Sequence, residues 1–259
     1  MLDPTIKPRS QAEDIRKIAA DLGYPTDWIW AWDNYKPMIV ELSRSLNLRR
    51  HVEIGAGRDP LFLMDEALTH GFDVTLSDIS ARELSLAPEG YEKVECDIAA
   101  PDAIDKLGRE AYDLAYCRMV MEHVPDVAAM WRNVCGALAP GGVAMSFFPT
   151  LYAPPYVLNR LIPERASRWI LHTFLPDRHD DGDNPKFPAF YDHCFSDEAK
   201  MAPMLKAAGF SDWVILPFWG YSYFWKFPGL KQFDAAFTNL AQRRQWRTLS
   251  SFAYVIAIK

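Results

Sequence analysis

Residues 52–60 read Val52-Glu53-Ile54-Gly55-Ala56-Gly57-Arg58-Asp59-Pro60. A β-branched, apolar run ends in two glycines one residue apart, and a helical pattern follows over Pro60–His70. A glycine turn between a strand and a helix lets backbone approach a ligand closely, at the positive end of the helix dipole. Outward from this turn, strand-like runs recur at His51–Ile54, Asp73–Ser77, Lys93–Cys96, Asp113–Cys117 and Val143–Phe148. Helical spacing separates them at Pro60–His70, Ala81–Leu86, Asp102–Leu107 and Asp126–Leu138. Regular alternation of this kind predicts βαβ units and a parallel, doubly wound α/β sheet over residues 50–150.

The flanks read differently. Ser10 and Glu13 form a capping-box pattern before a helix that stops at Gly23, and a second helix is expected over Tyr35–Leu46. Between them lies TDWIWAWDNY, with Trp28, Trp30 and Trp32 alternating. After Thr150 two short helical patterns, Tyr156–Ile162 and Glu164–Phe174, precede the polar run PDRHDDGDNPK. Ser196 is expected to cap a helix reaching Ala208, and Trp213–Phe218 and Ser251–Ile258 read as strands with a helix between. This divides the chain into an N-terminal helical cap (1–49), a core (50–150), a lid insert (151–195) and a C-terminal completion of the sheet (196–259).

Composition narrows the function classes. The 259 residues carry 28 basic and 34 acidic side chains, a net charge of −6, which disfavours a nucleic-acid partner. Hydrophobic residues make up 49% and charged ones 24%, the balance of a folded domain rather than a disordered chain. Cys96, Cys117, Cys135 and Cys194 show no CxxC pair, the pattern of buried thiols in a reducing compartment. The N-terminus has no apolar signal core, so a cytoplasmic location is expected. The uncharged stretch Val134–Leu158 is interrupted by Pro140-Gly141-Gly142, Pro149 and Pro154-Pro155, which rules it out as a bilayer helix.

Three acids flank the glycine turn in a telling order, one before it and two after. Asp78 ends the second strand, 21 residues past Gly57, where a carboxylate can accept both ribose hydroxyls of an adenosine. This much suits either a dinucleotide or S-adenosylmethionine. No third glycine completes a dinucleotide turn, and Asp59 beside a diphosphate would be repulsive. Glu53 is placed to meet an amino group, and Asp97 ends the third strand, where an adenine amine can be bonded.

With VEIGAG, LSDIS, ECDIA, YDLAYCRMVMEHVPD and LAPGG in order, the stretch Val52–Phe148 resembles the class I S-adenosylmethionine-dependent methyltransferases. CRMVMEHVPD is similar to the matching stretch of ubiquinone-pathway O-methyltransferases. The resemblance implies a Rossmann-like, seven-stranded sheet whose last strand is antiparallel. It implies that Glu53, Gly55, Ala56 and Gly57 hold the methionine part of the cofactor and Asp78 and Ile79 the ribose end. Asp97 and Ile98 would hold the adenine, and the chain at Cys117, Arg118 and Met119 the inner edge. It further implies a small-molecule acceptor, partly apolar or aromatic, with oxygen slightly favoured. A nicotinamide-dependent oxidoreductase and a catalytically silent cofactor-binding partner protein stand as alternatives.

The remaining candidates are weighed residue by residue. Some relatives bind a divalent metal through a Glu-x-x-Glu-His run, but Met119 occupies the first Glu position before Glu122-His123, so no metal is expected. Glu122 is read as a carboxylate satisfying backbone N–H groups of the next helix. His123 is either a general base or a hydrogen-bonded helix-start histidine. Tyr191 and His193 are acceptor-side candidates, and Arg160, Arg165, Arg168 and His172 are read as a solvated face. Asp177, His179 and Asp181 precede Gly182 in the manner of a calcium loop, but the twelfth position is Pro188. Two aromatic clusters, Trp28–Tyr35 and Trp219–Phe227, are expected mostly to pack helices and in part to wall an acceptor cavity.

Overall fold

Alternating apolar side chains build a sheet that is covered on both faces. The computed structural model describes residues 10–152, 188–222 and 228–259. Seven strands, β1 (Arg50–Ile54), β2 (Asp73–Asp78), β3 (Glu92–Glu95), β4 (Tyr112–Arg118), β5 (Leu138–Pro149), β6 (Asp212–Phe218) and β7 (Phe252–Ile258), lie in the order β3-β2-β1-β4-β5-β7-β6. β1 is parallel to β2 and β4, and β7 runs antiparallel between β5 and β6. The chain winds one way from β1 through β3 and then crosses to β4. The crevice beyond the carboxyl ends of β1 and β4 is therefore a topological switch point, where ligands bind in such sheets.

The two faces differ in bulk. Tyr116, Phe147, Phe218, Phe252 and Tyr254 project to one side, where they pack with Ile15 and Ile18 of α1 (Gln11–Asp21) and Met38, Ile39 and Leu42 of α3 (Tyr35–Leu46). Ala115, Cys117, Ala144, Ala253, Val255 and Ala257 project to the other and meet α7 (Val127–Ala137) and α8 (Glu198–Ala208). The period-2 alternation along the strands places these two sets on opposite faces. α4 (Met64–His70), α5 (Ala81–Leu86) and α6 (Ala103–Leu107) cross over between strands, and α9 (Pro228–Arg243) precedes β7.

Several elements depart from the sequence reading. Trp28–Asp33 is a helix, α2, capped by Asp27, whose carboxylate accepts from the Ile29 and Trp30 amides. α4 starts at Met64 rather than Pro60, and β5 starts at Leu138, the residue expected to end α7. Ser196 does not cap α8. Its hydroxyl donates to the Arg247 carbonyl and accepts from Ser250, and Asp197 takes the cap by accepting from the Ala199 amide. Most of the expected lid lies outside the described residues. So do its two helices, Arg160, Arg165, Arg168, His172 and the Asp177–Asp183 run, and Tyr223, Phe224, Trp225 and Phe227 of the second aromatic cluster.

The first aromatic cluster packs as expected. Trp30 stacks on Phe218 with centroids 5.9 Å apart, and Tyr35 meets Tyr254 edge-on at 5.6 Å. Trp219 and Tyr221 are buried as well. Among the described residues no helix is long and apolar enough to cross a membrane.

Candidate active site

The turn after β1 is shaped by its neighbours as much as by a ligand. Gly55 has φ +69° and Gly57 φ +57°, the left-handed region that favours glycine. A Cβ on Gly55 would fall 2.3 Å from Val120 Cγ2, whereas one on Gly57 would meet nothing within 4 Å. Gly57 therefore borders open space, and Gly55 is required by the chain that follows β4. The Gly55 and Ala56 amides both donate to the Ser77 carbonyl, at 2.7 and 3.1 Å. Arg58 forms a bidentate pair with Glu83 of α5, at 2.7 and 2.8 Å, which ties the turn to the next crossover.

Glu53 is 8% exposed, and both its oxygens accept from the Leu61 amide, at 3.2 and 2.9 Å. Tyr116 donates its hydroxyl to Oε2 at 3.4 Å. Burial pushes the carboxyl up to about 7, against the Leu61 hydrogen bond and the nearby Arg118 and Lys36 cations, which favour the ionised form. A poised buried carboxyl at a switch point is suited to meeting a ligand cation.

Asp78 stands half-buried at the end of β2, with Oδ2 accepting from the Gly57 amide at 2.9 Å and Oδ1 from Ser80 at 2.8 Å. Ile79 is 63% exposed beside it. Asp97 is exposed and accepts from the Ala99 amide, and Ile98 is buried with its carbonyl bonded to Asn133. Cys117 is buried, its thiol pushed up to about 12 by burial and donating to Ser146 Oγ at 3.1 Å. Its carbonyl accepts the Tyr35 hydroxyl at 2.7 Å. Arg118 is exposed, and Met119 takes φ +58° with its amide on the Phe147 carbonyl at 2.7 Å.

A 3-10 turn, Met121–His123, follows β4. His123 Nδ1 is 2.7 Å from the Pro188 carbonyl, which makes Nδ1 the protonated nitrogen and leaves Nε2 as the basic one. Nε2 lies 3.8 Å from Glu122 Oε1. The expectation for Glu122 fails: Asp126 and Asp192 accept the α7 amides, from Ala129 and Val127. The Glu122 carboxyl is instead 3% exposed, Oε2 has no hydrogen-bond partner among the described residues, and burial pushes it up to about 8. Its backbone carbonyl accepts from the Phe190 and Tyr191 amides, which docks the returning chain on this turn.

Tyr191 and His193 come back with that chain, both with positive φ, 54° and 49°. Tyr191 is 8% exposed within the second core, and His193 Nδ1 is 2.7 Å from Asp192 Oδ1. Among the described residues no cluster of three His, Cys, Asp or Glu residues is arranged to hold a metal. Sequence reasoning missed the Tyr35–Cys117 bond, the Arg58–Glu83 clamp and the Leu61 amide, because each joins positions with no shared motif.

Residues 30–214, well over half of the chain, match the Methyltransferase domain family. The chain belongs to the class I S-adenosylmethionine-dependent methyltransferases, whose cofactor is S-adenosylmethionine. Open space at Gly57, the Asp78 carboxylate and the poised Glu53 fit that cofactor, and the family decides against a nicotinamide oxidoreductase. The chain is 32% identical over 122 residues to the ubiquinone biosynthesis O-methyltransferase of Bordetella avium, covering 45% of this chain and 48% of that one. It is 27% identical over 186 residues to the enzyme of the same name from Marinobacter nauticus, covering 62% and 76%. It thus spans about half the length of the first of these relatives. A methyltransferase structure from Archaeoglobus fulgidus superposes with a TM-score of 0.51 at 13% identity, over 90% of this chain and 100% of that one, a likeness of fold.

Proposed function

We propose that this chain methylates a small-molecule acceptor, at oxygen in preference to nitrogen or carbon. The observation that carries the reading is the convergence of Glu53, the Gly57–Asp78 pair and the His123 turn on the crevice between β1 and β4. When bound, S-adenosylmethionine supplies an electrophilic methyl group on a sulfonium. Glu53 holds an amino group, Gly55, Ala56 and Gly57 line the approach, and Asp78 accepts ribose hydroxyls. Ile79 lies beside Asp78 at the ribose end, Asp97 and Ile98 receive the adenine, and backbone at Cys117–Met119 forms the inner edge.

His123 carries the preference for oxygen. With Nδ1–H bonded to the Pro188 carbonyl, Nε2 is the ring nitrogen placed to take a hydroxyl proton, 3.8 Å from Glu122 Oε1. The names of the Bordetella and Marinobacter relatives point the same way. His193, paired with Asp192, and Tyr191 stand on the acceptor side. The acidic chain suits a small molecule rather than a nucleic acid, and the four free, buried cysteines suit the cytoplasm.

Thermal unfolding with S-adenosylhomocysteine, S-adenosylmethionine or NAD tests the cofactor. A ligand at a hundred times its Kd adds roughly 2.7 kcal/mol, a shift of several degrees for a chain of this size. A rise with the adenosyl compounds alone is expected, and its absence overturns the proposal. Turnover of a phenol panel, lost in His123→Ala while S-adenosylhomocysteine still binds, tests the base. Full activity in that variant removes His123 from the chemistry.

A further inference from the structure

The apolar stripe of a surface helix normally faces the core. In α9 (Pro228–Arg243) it faces out. Phe233, Ala236, Phe237 and Leu240 recur at i, i+3, i+4 and i+7, one face of a 3.6-residue helix. Phe233 is 72% exposed and Leu240 44%, Ala236 is exposed and Phe237 half-buried. The helix is held from its other side. Ala241 is fully buried, and Gln242 Nε2 donates to Thr26 Oγ1 at 2.8 Å and to the Pro25 carbonyl at 3.4 Å. Asp234 accepts the Tyr221 hydroxyl. Single exposed apolar side chains are ordinary, but a contiguous stripe along one helix marks a contact surface.

Charge identifies what covers it. The chain as a whole carries −6, yet residues 228–247 hold Lys231, Arg243, Arg244 and Arg247 against one acid, Asp234, which is turned to Tyr221. Arg243 and Arg244 are exposed, and Arg244 lies four residues past Leu240, at the end of the stripe. Trp246, 43% exposed, follows just beyond the helix. Phe and Leu on one face with arginines beside them are the make-up of a helix that lies in the interface of an anionic bilayer. A second copy of the stripe would instead bring further cations, and no acid on that face, to the pair. We propose that α9 is a membrane-surface contact by which the chain docks reversibly on an anionic lipid bilayer. Phe233, Phe237 and Leu240 enter the acyl boundary, and Arg243 and Arg244 meet headgroup phosphates. The inference stands apart from the cofactor reading, whose residues lie at the carboxyl ends of β1 and β4.

The test is flotation of the full chain with lipid vesicles, one set of phosphatidylcholine alone and one of equal parts phosphatidylcholine and phosphatidylglycerol. The wild-type chain is expected to partition onto the anionic vesicles about tenfold or more over the neutral ones, and to leave them as salt is raised. Phe233→Ser combined with Leu240→Ser should lower that partitioning about tenfold or more, and Arg243→Gln combined with Arg244→Gln about tenfold. All four positions are exposed, so both variants should melt within about two degrees of the wild type. If the serine variant unfolds, the arginine variant decides by itself. Flotation with neither vesicle, or equally with both, overturns the proposal. So does anionic flotation that survives in both variants, which places the contact elsewhere on the chain. A wild-type dimer in sedimentation that dissociates in the serine variant, without flotation, gives the stripe to a second copy and overturns the proposal as well.

Discussion

The Gly57 amide donates to Oδ2 of Asp78 at 2.9 Å, joining two positions 21 residues apart. The bond makes the turn after β1 and the end of β2 one rigid unit, with the Ser80 amide holding the other carboxylate oxygen. Each oxygen keeps a second lone pair for a ligand. Asp78→Ala leaves two backbone donors unmatched, which costs about 1–3 kcal/mol. The expected outcome is a lower melting temperature together with weaker binding of both S-adenosylhomocysteine and 5′-methylthioadenosine in calorimetry. A variant that melts lower yet binds both normally shows that Asp78 serves the turn alone.

Glu53 should make cofactor binding depend on pH. Its carboxyl is pushed up to about 7 by burial, with Arg118, Lys36 and Tyr116 facing it. An amino group is held by the ionised form, so affinity for S-adenosylhomocysteine should rise by about tenfold between pH 6 and pH 8. The sense for the ligand-free fold is opposite. A raised carboxyl pKa stabilises the fold below the ordinary value of 4.5, and that contribution is lost as pH rises through about 7. Binding of 5′-methylthioadenosine, which lacks the amino acid, should not follow pH, and Glu53→Gln should flatten the S-adenosylhomocysteine profile. A profile unchanged in the variant assigns the pH effect elsewhere.

His51 predicts acid sensitivity of the whole fold. The ring is fully buried, with Nε2 at 3.2 Å from both Ser43 Oγ and the Leu48 carbonyl, and Nδ1 without a partner among the described residues. Burial lowers its pKa from 6.5 to about 4, so the folded state keeps it neutral while the unfolded chain protonates. Stability is complete above about 6.5 and is lost as pH falls toward 4. Between pH 7 and pH 5 the loss should reach about 2 kcal/mol, measured by urea denaturation. His51→Phe should remove this slope, and a variant with the wild-type slope refutes the assignment.

Gly55 and Val120 should be coupled. Gly55→Ala drives a methyl group into Val120 and also pays for a positive φ, about 1–2 kcal/mol by itself. Val120→Ala opens the space without changing φ. The double variant is therefore expected to be more stable than the sum of the single losses implies, by about 1 kcal/mol or more in a denaturation cycle. Strict additivity shows that backbone conformation alone demands the glycine.

Strands and the longer helices were legible because each buries a face with its own period, and Val127, Met130, Trp131, Val134 and Cys135 of α7 show that period without reference to neighbours. The short helix Trp28–Asp33 was not. Its alternating tryptophans carry no 3.6-residue stripe, and it is held by the Asp27 cap and by packing on Phe218 and Phe147. The same limit explains Ser196 and Asp197, adjacent residues equally able to cap. Ser196 is claimed by Arg247 and Ser250, more than fifty residues away.

At the candidate site, the order Glu53, Gly55, Gly57, Asp78, Asp97 named the cofactor class from sequence alone, because fixed spacing along βαβ units fixes position at the sheet edge. Tertiary contacts decided what each residue does there. Val120 demands Gly55, Leu61 and burial poise Glu53, Pro188 orients His123, and the Arg118 guanidinium lies 6.0 Å from the Trp32 ring centroid. Local sequence determines which way a side chain points along its own element. The partner that sets its charge and orientation arrives from a distant part of the chain, brought there only by folding.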